Sequence, residues 1–264
     1  MKKYAICYNP NIENSVSVME KLKGILQKYN ADFRVFSIDK LETECDFVFV
    51  IGGDGTILKA ARFYSKFGIA VFGINLGHLG FLSQAGTTNL ESAVNSILNA
   101  DYKTENRLML ESGNYNALND FVIKGIIPSR ASSFKLEIND KFVCEYYADG
   151  IIISTPTGST AYGMAAGGPV LTPDTDAIII VPICPHTFSA RPIVVSSQST
   201  IKILSCPNQS YTVSADGQEI FDFTKEITIT KSKYYAKLAL LKENDFYSVL
   251  RNKLQWGISP VNQK

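Results

Sequence analysis

The sequence predicts two architectures in one chain: an α/β half over residues 1–101 and a β-rich half over 102–235. Three observations carry that division. Strand-like and helix-like patterns alternate up to about residue 100, as a parallel, doubly wound sheet requires. From Glu105 onward, period-two alternation replaces them. The third is the apolar run Phe47-Val48-Phe49-Val50-Ile51. It passes through Gly52-Gly53-Asp54-Gly55-Thr56 into the helical spacing of Ile57, Leu58, Ala60, Ala61, Phe63 and Tyr64.

The elements follow in order. Tyr4 to Tyr8 is a strand broken by Asn9-Pro10-Asn11, and Ser15 to Tyr29 has apolar residues near helical period. Asp32 to Ile38 alternates as a second strand. After the Gly52 turn and its helix, Ala70 to Asn75 is a further buried strand, and Leu90 to Leu98 a short helix. In the second half, Arg107–Glu111, Phe134–Ile138, Lys141–Tyr147, Ile178–Val181, Pro192–Val195, Thr200–Leu204 and Glu226–Thr230 read as strands. Asn139-Asp140 is the hairpin turn between two of them. Phe246 to Trp256 has helix-like spacing and is expected to pack back on the first half, which the tail 236–264 completes.

The Gly52–Thr56 turn joins a strand to a helix. Its three glycines permit left-handed backbone angles and close approach to a bulky anion. Free N–H groups at the start of the helix favour phosphate. Asp54 has two readings. It is either the helix N-cap, or a carboxylate that takes a proton from a hydroxyl or holds a metal beside the phosphates. The second reading implies phosphoryl transfer. Neither G-x-x-x-x-G-K-[ST] nor G-x-G-x-x-G fits this turn.

Composition sets limits. With 264 residues, 45% hydrophobic and 19% charged, the chain has an ordinary soluble balance. A net charge of +1 implies no broad nucleic-acid surface. No apolar run approaches the ~20 residues that span a bilayer, so no membrane association is expected. Cys7, Cys45, Cys144, Cys184 and Cys206 lack C-x-x-C spacing and read as reduced thiols in a cytoplasmic protein. Only His78 and His186 could join them, so no structural zinc is expected.

Gly52-Gly53-Asp54-Gly55-Thr56 resembles the nucleotide-binding turn shared by NAD kinases, diacylglycerol and sphingosine kinases and, with Ser at the last place, 6-phosphofructokinases. The stretch Gly73-Ile74-Asn75-Leu76-Gly77-His78-Leu79-Gly80-Phe81-Leu82 resembles a second NAD kinase signature, in which the aromatic, here Phe81, lines the NAD pocket. Asn119-Asp120 stands where NAD kinases usually carry Asn-Glu in contact with the dinucleotide. Alone, the pair also suits a turn. Asp149-Gly150 runs through a strand into Ser154-Thr155-Pro156-Thr157-Gly158-Ser159-Thr160-Ala161-Tyr162, which is similar to the family's central motif. Five hydroxyl side chains in seven residues could donate to phosphate and sugar oxygens. By resemblance, Thr157, Thr160, Ala161 and Tyr162 belong to the NAD site. Asp149 is expected near the nicotinamide end, or reaching a neighbouring subunit's site. Ala165 replaces a Ser of some members.

His186-Thr187-Phe188-Ser189-Ala190-Arg191-Pro192-Ile193 resembles a family motif that shapes the site and the subunit contact; no proton transfer is assigned to His186. Asp216-Gly217-Gln218 resembles the family's Asp-Gly-Gln turn and alone reads as a hairpin turn. The resemblance implies an NAD kinase. ATP with a divalent metal, Mg²⁺, phosphorylates the 2′-hydroxyl of the adenosine ribose of NAD, with Asp54 as the base. The metal is expected to ride on the ATP phosphates rather than on protein ligands. A homotetramer is the expected assembly. An apolar acceptor groove, as in a lipid kinase, and a non-catalytic NAD(P) sensor are the alternatives.

Overall fold

A computed structural model of the chain describes residues 2–77, 80–127, 130–206 and 209–255. Trp256, His78 and Leu79, parts of motifs read above, lie outside the described residues. Two compact units emerge: residues 1–106 with 236–264, and residues 107–235.

The first unit opens with β1 (Lys3–Tyr8), α1 (Ser15–Lys28), β2 (Asp32–Ser37), β3 (Phe47–Ile51), α2 (Asp54–Ser65), β4 (Ala70–Ile74), β5 (Ser83–Ala85) and α3 (Leu90–Leu98). β1 pairs in parallel with β2 on one side and β3 on the other, and β3 with β4. All five residues of β3 are buried, because a parallel sheet is covered on both faces. Phe47, Phe49 and Ile51 share one core with Leu22 and Leu26 of α1 and Val94 and Ile97 of α3. α2 packs against β3 and β4. The chain leaves β1 in one direction for β2 and in the other for β3. The carboxyl end of β3, where ligands of such sheets bind, carries Gly52.

The second unit holds β6 (Lys103–Ser112, begun in the first unit), β7 (Tyr115–Ala117), β8 (Asp120–Gly125), β9 (Ser132–Ile138), β10 (Lys141–Ala148) and β11 (Gly150–Ser154). A 3-10 turn (Thr157–Thr160) and α4 (Tyr162–Ala165) follow. β12 (Ala177–Ile183), β13 (Ile193–Ser196), β14 (Ile201–Leu204), β15 (Tyr211–Ala215), β16 (Glu219–Phe223) and β17 (Glu226–Leu240) complete it. One sheet runs β13-β12-β11-β8-β15-β16, antiparallel throughout. Opposite it, β10, β9, β14 and the start of β17 pair in that order. Alternate residues meet between them: Phe121, Ile123, Ile151, Ile153 and Val213 from the first sheet against Phe134, Leu136, Ile203 and Ile229 from the second. Asn139 and Asp140 have φ of 52° and 59°, the left-handed pair that a two-residue hairpin needs.

β17 runs on for 15 residues, and its late residues Lys237 and Leu238 pair in parallel with β4 of the first unit. Ala239 and Leu241 enter the core of α1 and α3, and Asn244 donates to the Gln84 carbonyl at 3.0 Å. α5 (Phe246–Leu254) follows, capped by Asp245, whose side chain accepts from Ser248 N–H at 3.0 Å. Among the described residues, no helix is long and apolar enough to cross a membrane.

Candidate active site

In the first unit, the Gly52–Thr56 turn differs from expectation in one respect. Gly52, Gly53 and Gly55 are absent from the positions of positive φ. Gly53 is extended at φ −78° and ψ 177°, and Gly55 already lies in α2. Glycine at 52 answers to space instead: a Cβ there would meet the Thr56 side chain at 2.6 Å. Gly52 and Thr56 are buried and Gly55 is exposed.

Asp54 is not the N-cap, since Gly53 holds that position. Asp54 is the first helical residue, where a negative charge suits the helix dipole. Its carboxylate reaches the second motif. Oδ2 accepts from the Phe81 N–H at 2.9 Å and Oδ1 from the Leu82 N–H at 3.3 Å. Gly80 precedes them, and a side chain there would run into the carboxylate. Buried Ser83, which sequence reading missed, organises the same loop. Its hydroxyl accepts from the Gly80 N–H at 2.6 Å and lies 3.4 Å from Asn75 Nδ2. The Asn75 Oδ1 accepts from Gly77 N–H at 2.8 Å. The Phe81 ring is half-buried.

In the second unit, a cleft of about 430 Å³ opens on the face of the β8, β15 and β16 sheet turned away from the core. Period-two alternation decides its floor. Phe121 and Ile123 enter the core, so Asp120, Val122 and Lys124 line the cleft, beside Thr212, Ser214 and Asp216. Asn119, Ala161, Tyr162 and Ile220 complete much of the wall. Thus Asn119, Asp120, Ala161 and Tyr162, from two separate motifs, line one cleft. Thr157 and Thr160 are close in chain but do not line this cleft, and exposed Asp149, between β10 and β11, lies outside it.

The hydroxyl-rich loop holds itself together. Thr155 donates to the Leu118 carbonyl at 2.6 Å and accepts from Gly158 N–H at 3.0 Å. Ser154 donates to the Asn119 carbonyl at 3.2 Å, Ser159 to the Pro156 carbonyl at 2.6 Å, and Thr160 to the Thr157 carbonyl at 3.3 Å. Thr157 accepts from buried Arg107 at 3.4 Å. Four of the five hydroxyls thus donate to backbone carbonyls, and Thr157 accepts. The close approach at Gly158 is to the Asn119 carbonyl, against which a Cβ would clash.

Asp216, read from sequence only as part of a turn, ties the start of β8 in place. Its carboxylate accepts from the N–H groups of Leu118 at 2.9 Å, Asn119 at 2.7 Å and Asp120 at 3.1 Å. Its own N–H donates to the Asp120 carbonyl at 2.9 Å. The Asp-Gly-Gln resemblance was the one signal that pointed to it. Asp120 is 5% exposed, and burial together with the Asp216 charge pushes its carboxyl up to about 7. Lys124 Nζ lies 5.5 Å from the centre of the Tyr162 ring.

Two family models match these two regions. One is described as the ATP-NAD kinase N-terminal domain and covers residues 5–102; the other, the ATP-NAD kinase C-terminal domain, covers 118–241. The chain belongs to the NAD kinase family. It is 41% identical over 228 residues to the NAD kinase of Caldanaerobacter subterraneus subsp. tengcongensis, covering 82% of this chain and 81% of that one. Against the NAD kinase of Pseudomonas fluorescens it is 46% identical over 226 residues, 81% of this chain and 76% of the other. The crystal structure of an NAD kinase from Archaeoglobus fulgidus in complex with ATP superposes with a TM-score of 0.81 at 28% identity, covering 96% and 98% of the two chains. Yeast NADH kinase complexed with NADH matches at a TM-score of 0.83 and 24% identity, covering 98% of this chain and 89% of that one, a likeness of fold. Among the described residues of this NAD kinase family member, no group of three or more His, Cys, Asp and Glu is placed to hold a metal ion.

Proposed function

We propose that this NAD kinase family member transfers the γ-phosphoryl group of ATP to the 2′-hydroxyl of the adenosine ribose of NAD, giving NADP. The observation that supports this most directly is the setting of Asp54. Two backbone N–H groups fix its carboxylate, yet each oxygen keeps a lone pair for a hydroxyl proton. Asp54 accepts the proton of the 2′-hydroxyl as that oxygen attacks phosphorus. The Gly52–Thr56 turn and the start of α2 take the donor's phosphates. The divalent ion, Mg²⁺, arrives as part of the metal–ATP substrate and offsets phosphate charge. Positioning supplies most of the rate.

The cleft of the second unit receives NAD. The Asn119 amide can pair with both a donor and an acceptor on a base edge, and the Tyr162 ring offers a flat surface for stacking. Its lining sets the polar groups of Asn119, Asp120, Lys124, Thr212 and Ser214 among apolar surface from Val122, Tyr162 and Ile220, a mixture that suits a base and its ribose better than a lipid chain. The protein assembles as a homotetramer; Phe188 is 95% exposed and Phe142, on the outer strand β10, 64%, apolar surface that suits a subunit contact. Light scattering showing a monomer would sink that part. Burial pushes the Cys7 thiol up to about 12 and the Cys45 thiol up to about 11, and all five cysteines are free, which supports a cytoplasmic location.

The test incubates purified protein with ATP, Mg²⁺ and NAD and detects NADP with an NADP-specific dehydrogenase. Formation that needs all three components is the expected result. NAD binding without NADP would leave a sensor, and no binding would reject the acceptor.

A further inference from the structure

The cleft contains two carboxyl groups on facing corners of one sheet, and their surroundings differ. Asp216 receives three backbone N–H bonds, the pattern that holds a carboxylate ionised. Asp120 is almost wholly buried at the start of β8 and is tied to Asp216 twice: its N–H donates to the Asp216 carboxylate, and its carbonyl accepts from the Asp216 N–H. Two adjoining carboxyls, one buried and the other partly so, do not both ionise readily. The amide donors assign the charge to Asp216 and leave the proton on Asp120.

Charges from the other elements do not alter this. On β8, Lys124 lies four residues further along, about 13 Å by strand rise, against the Tyr162 ring. On β16, Asp222 pairs with Thr212, which pairs with Lys124, so it stands at that far end as well; Glu219 is at the near end but pairs with core-facing Ala215, beside core-facing Phe121, and so lies on the opposite face from Asp120. β11 brings uncharged Ser154 opposite Asp120, and the 3-10 turn carries no titratable side chain. Burial first, and then the Asp216 charge, raise Asp120 towards neutrality.

We propose that Asp120 presents a protonated carboxyl to the bound dinucleotide and donates a hydrogen bond to it, while Asp216 carries the pair's single negative charge. This rests on the reading of the cleft as the NAD site. The ligand atom is then a neutral acceptor, a purine ring nitrogen or an amide carbonyl oxygen, rather than an amine or a ribose hydroxyl proton. Because only the protonated form binds well, NAD affinity falls as pH rises above neutral.

The experiment measures the NAD dissociation constant of the full chain by calorimetry from about pH 6 to pH 8.5, in the wild type and in Asp120→Asn. The wild type is expected to weaken by about tenfold per unit above its midpoint, following the protonated fraction. Asp120→Asn, a permanent neutral donor, is expected to lose that slope and keep affinity near the wild-type value at low pH. ADP-ribose, which lacks nicotinamide, separates the two acceptor atoms: a retained slope assigns the purine nitrogen, a lost slope the carboxamide oxygen. A wild-type affinity independent of pH, or improving as pH rises, overturns the proposal, as does the same slope in Asp120→Asn. A second arm needs no ligand: the side-chain carboxyl ¹³C resonance of Asp120 should titrate near neutral pH. Titration in the ordinary acidic range refutes the protonated state. Absence of NAD binding at every pH would instead fail the NAD reading, with the resonance still deciding the protonation.

Discussion

Gly80 faces the carboxylate of Asp54 so closely that no side chain fits between them. The two residues belong to motifs 26 positions apart, and the hydrogen bonds from Phe81 and Leu82 join those motifs into one device. Gly80→Ala must push the carboxylate off both donors. Turnover is expected to fall by about 10²-fold, the scale of an ångström's misplacement, with the fold intact by circular dichroism. Wild-type turnover in this variant would show that the Asp54 position does not govern the rate.

Asp54→Asn keeps the shape and one acceptor oxygen but cannot take a proton. Turnover should drop by about 10²–10⁴ if proton transfer is general-base catalysed. NAD affinity should stay within a few-fold. Steady-state kinetics with a parallel binding titration check both halves, and a large loss of binding with unchanged turnover would contradict the assignment.

Asp216→Ala removes the partner of three backbone N–H groups at once. It also places Ala at φ 53°, where glycine or Asp is better tolerated. A loss of about 3 kcal/mol is expected, read from urea unfolding. Asp216→Asn should recover part of it through its remaining acceptor oxygen.

Asp120 sets a pH dependence of stability whose sign is fixed. Its carboxyl rises from 3.8 to about 7 on folding. Below the lower value the group is protonated in both states and costs nothing. As pH rises towards 7 the folded state must retain a proton that the unfolded state releases, and above 7 a buried charge remains. The penalty, on the order of a few kcal/mol, is complete above about pH 7. Asp120→Asn should therefore raise the melting temperature over wild type at about pH 8.5 and lose most of that advantage at about pH 4. Calorimetric scans at the two values decide it.

Thr155→Val separates a scaffold role from a ligand role for the hydroxyl-rich loop. It breaks the bonds to Leu118 and Gly158. About 1–3 kcal/mol of stability should be lost, with the NAD dissociation constant changing less than twofold at a temperature where the variant is folded. A large change in affinity with unchanged stability would return the hydroxyl to the ligand.

The order of strand, turn and helix around Gly52 was legible because apolar runs and helical spacing flank it. The reason for Gly52 was not, since a clash with Thr56 is invisible until the chain is folded. Asn119 and Asp120 were legible through their resemblance to the family's Asn-Glu pair. Their tie to Asp216 was not, because it joins residues 96 to 98 positions apart through backbone N–H groups that every sequence carries. Asp216-Gly217 is also a good hairpin pair, so an ordinary turn explained it locally. Tyr211–Ala215 and Glu219–Phe223 were missed as strands around that turn. The hydroxyls of Ser154 to Thr160 were legible as a cluster, but their partners were not: Ser154 and Thr155 donate to the Asn119 and Leu118 carbonyls, 35 and 37 residues away, and Thr157 accepts from Arg107.

β17 gives the first unit a dependence on residues that are synthesised after the whole second unit. β4 acquires its neighbour at Lys237 and Leu238, and Ala239 and Leu241 fill the core beneath α1 and α3. During translation, the nascent α/β half therefore leaves the ribosome with an open sheet edge and an unfilled interior. It stays in that condition while the whole second unit is made. The second unit, bounded within residues 107–235, can close beforehand. The half that carries Asp54 thus matures last, although it is made first.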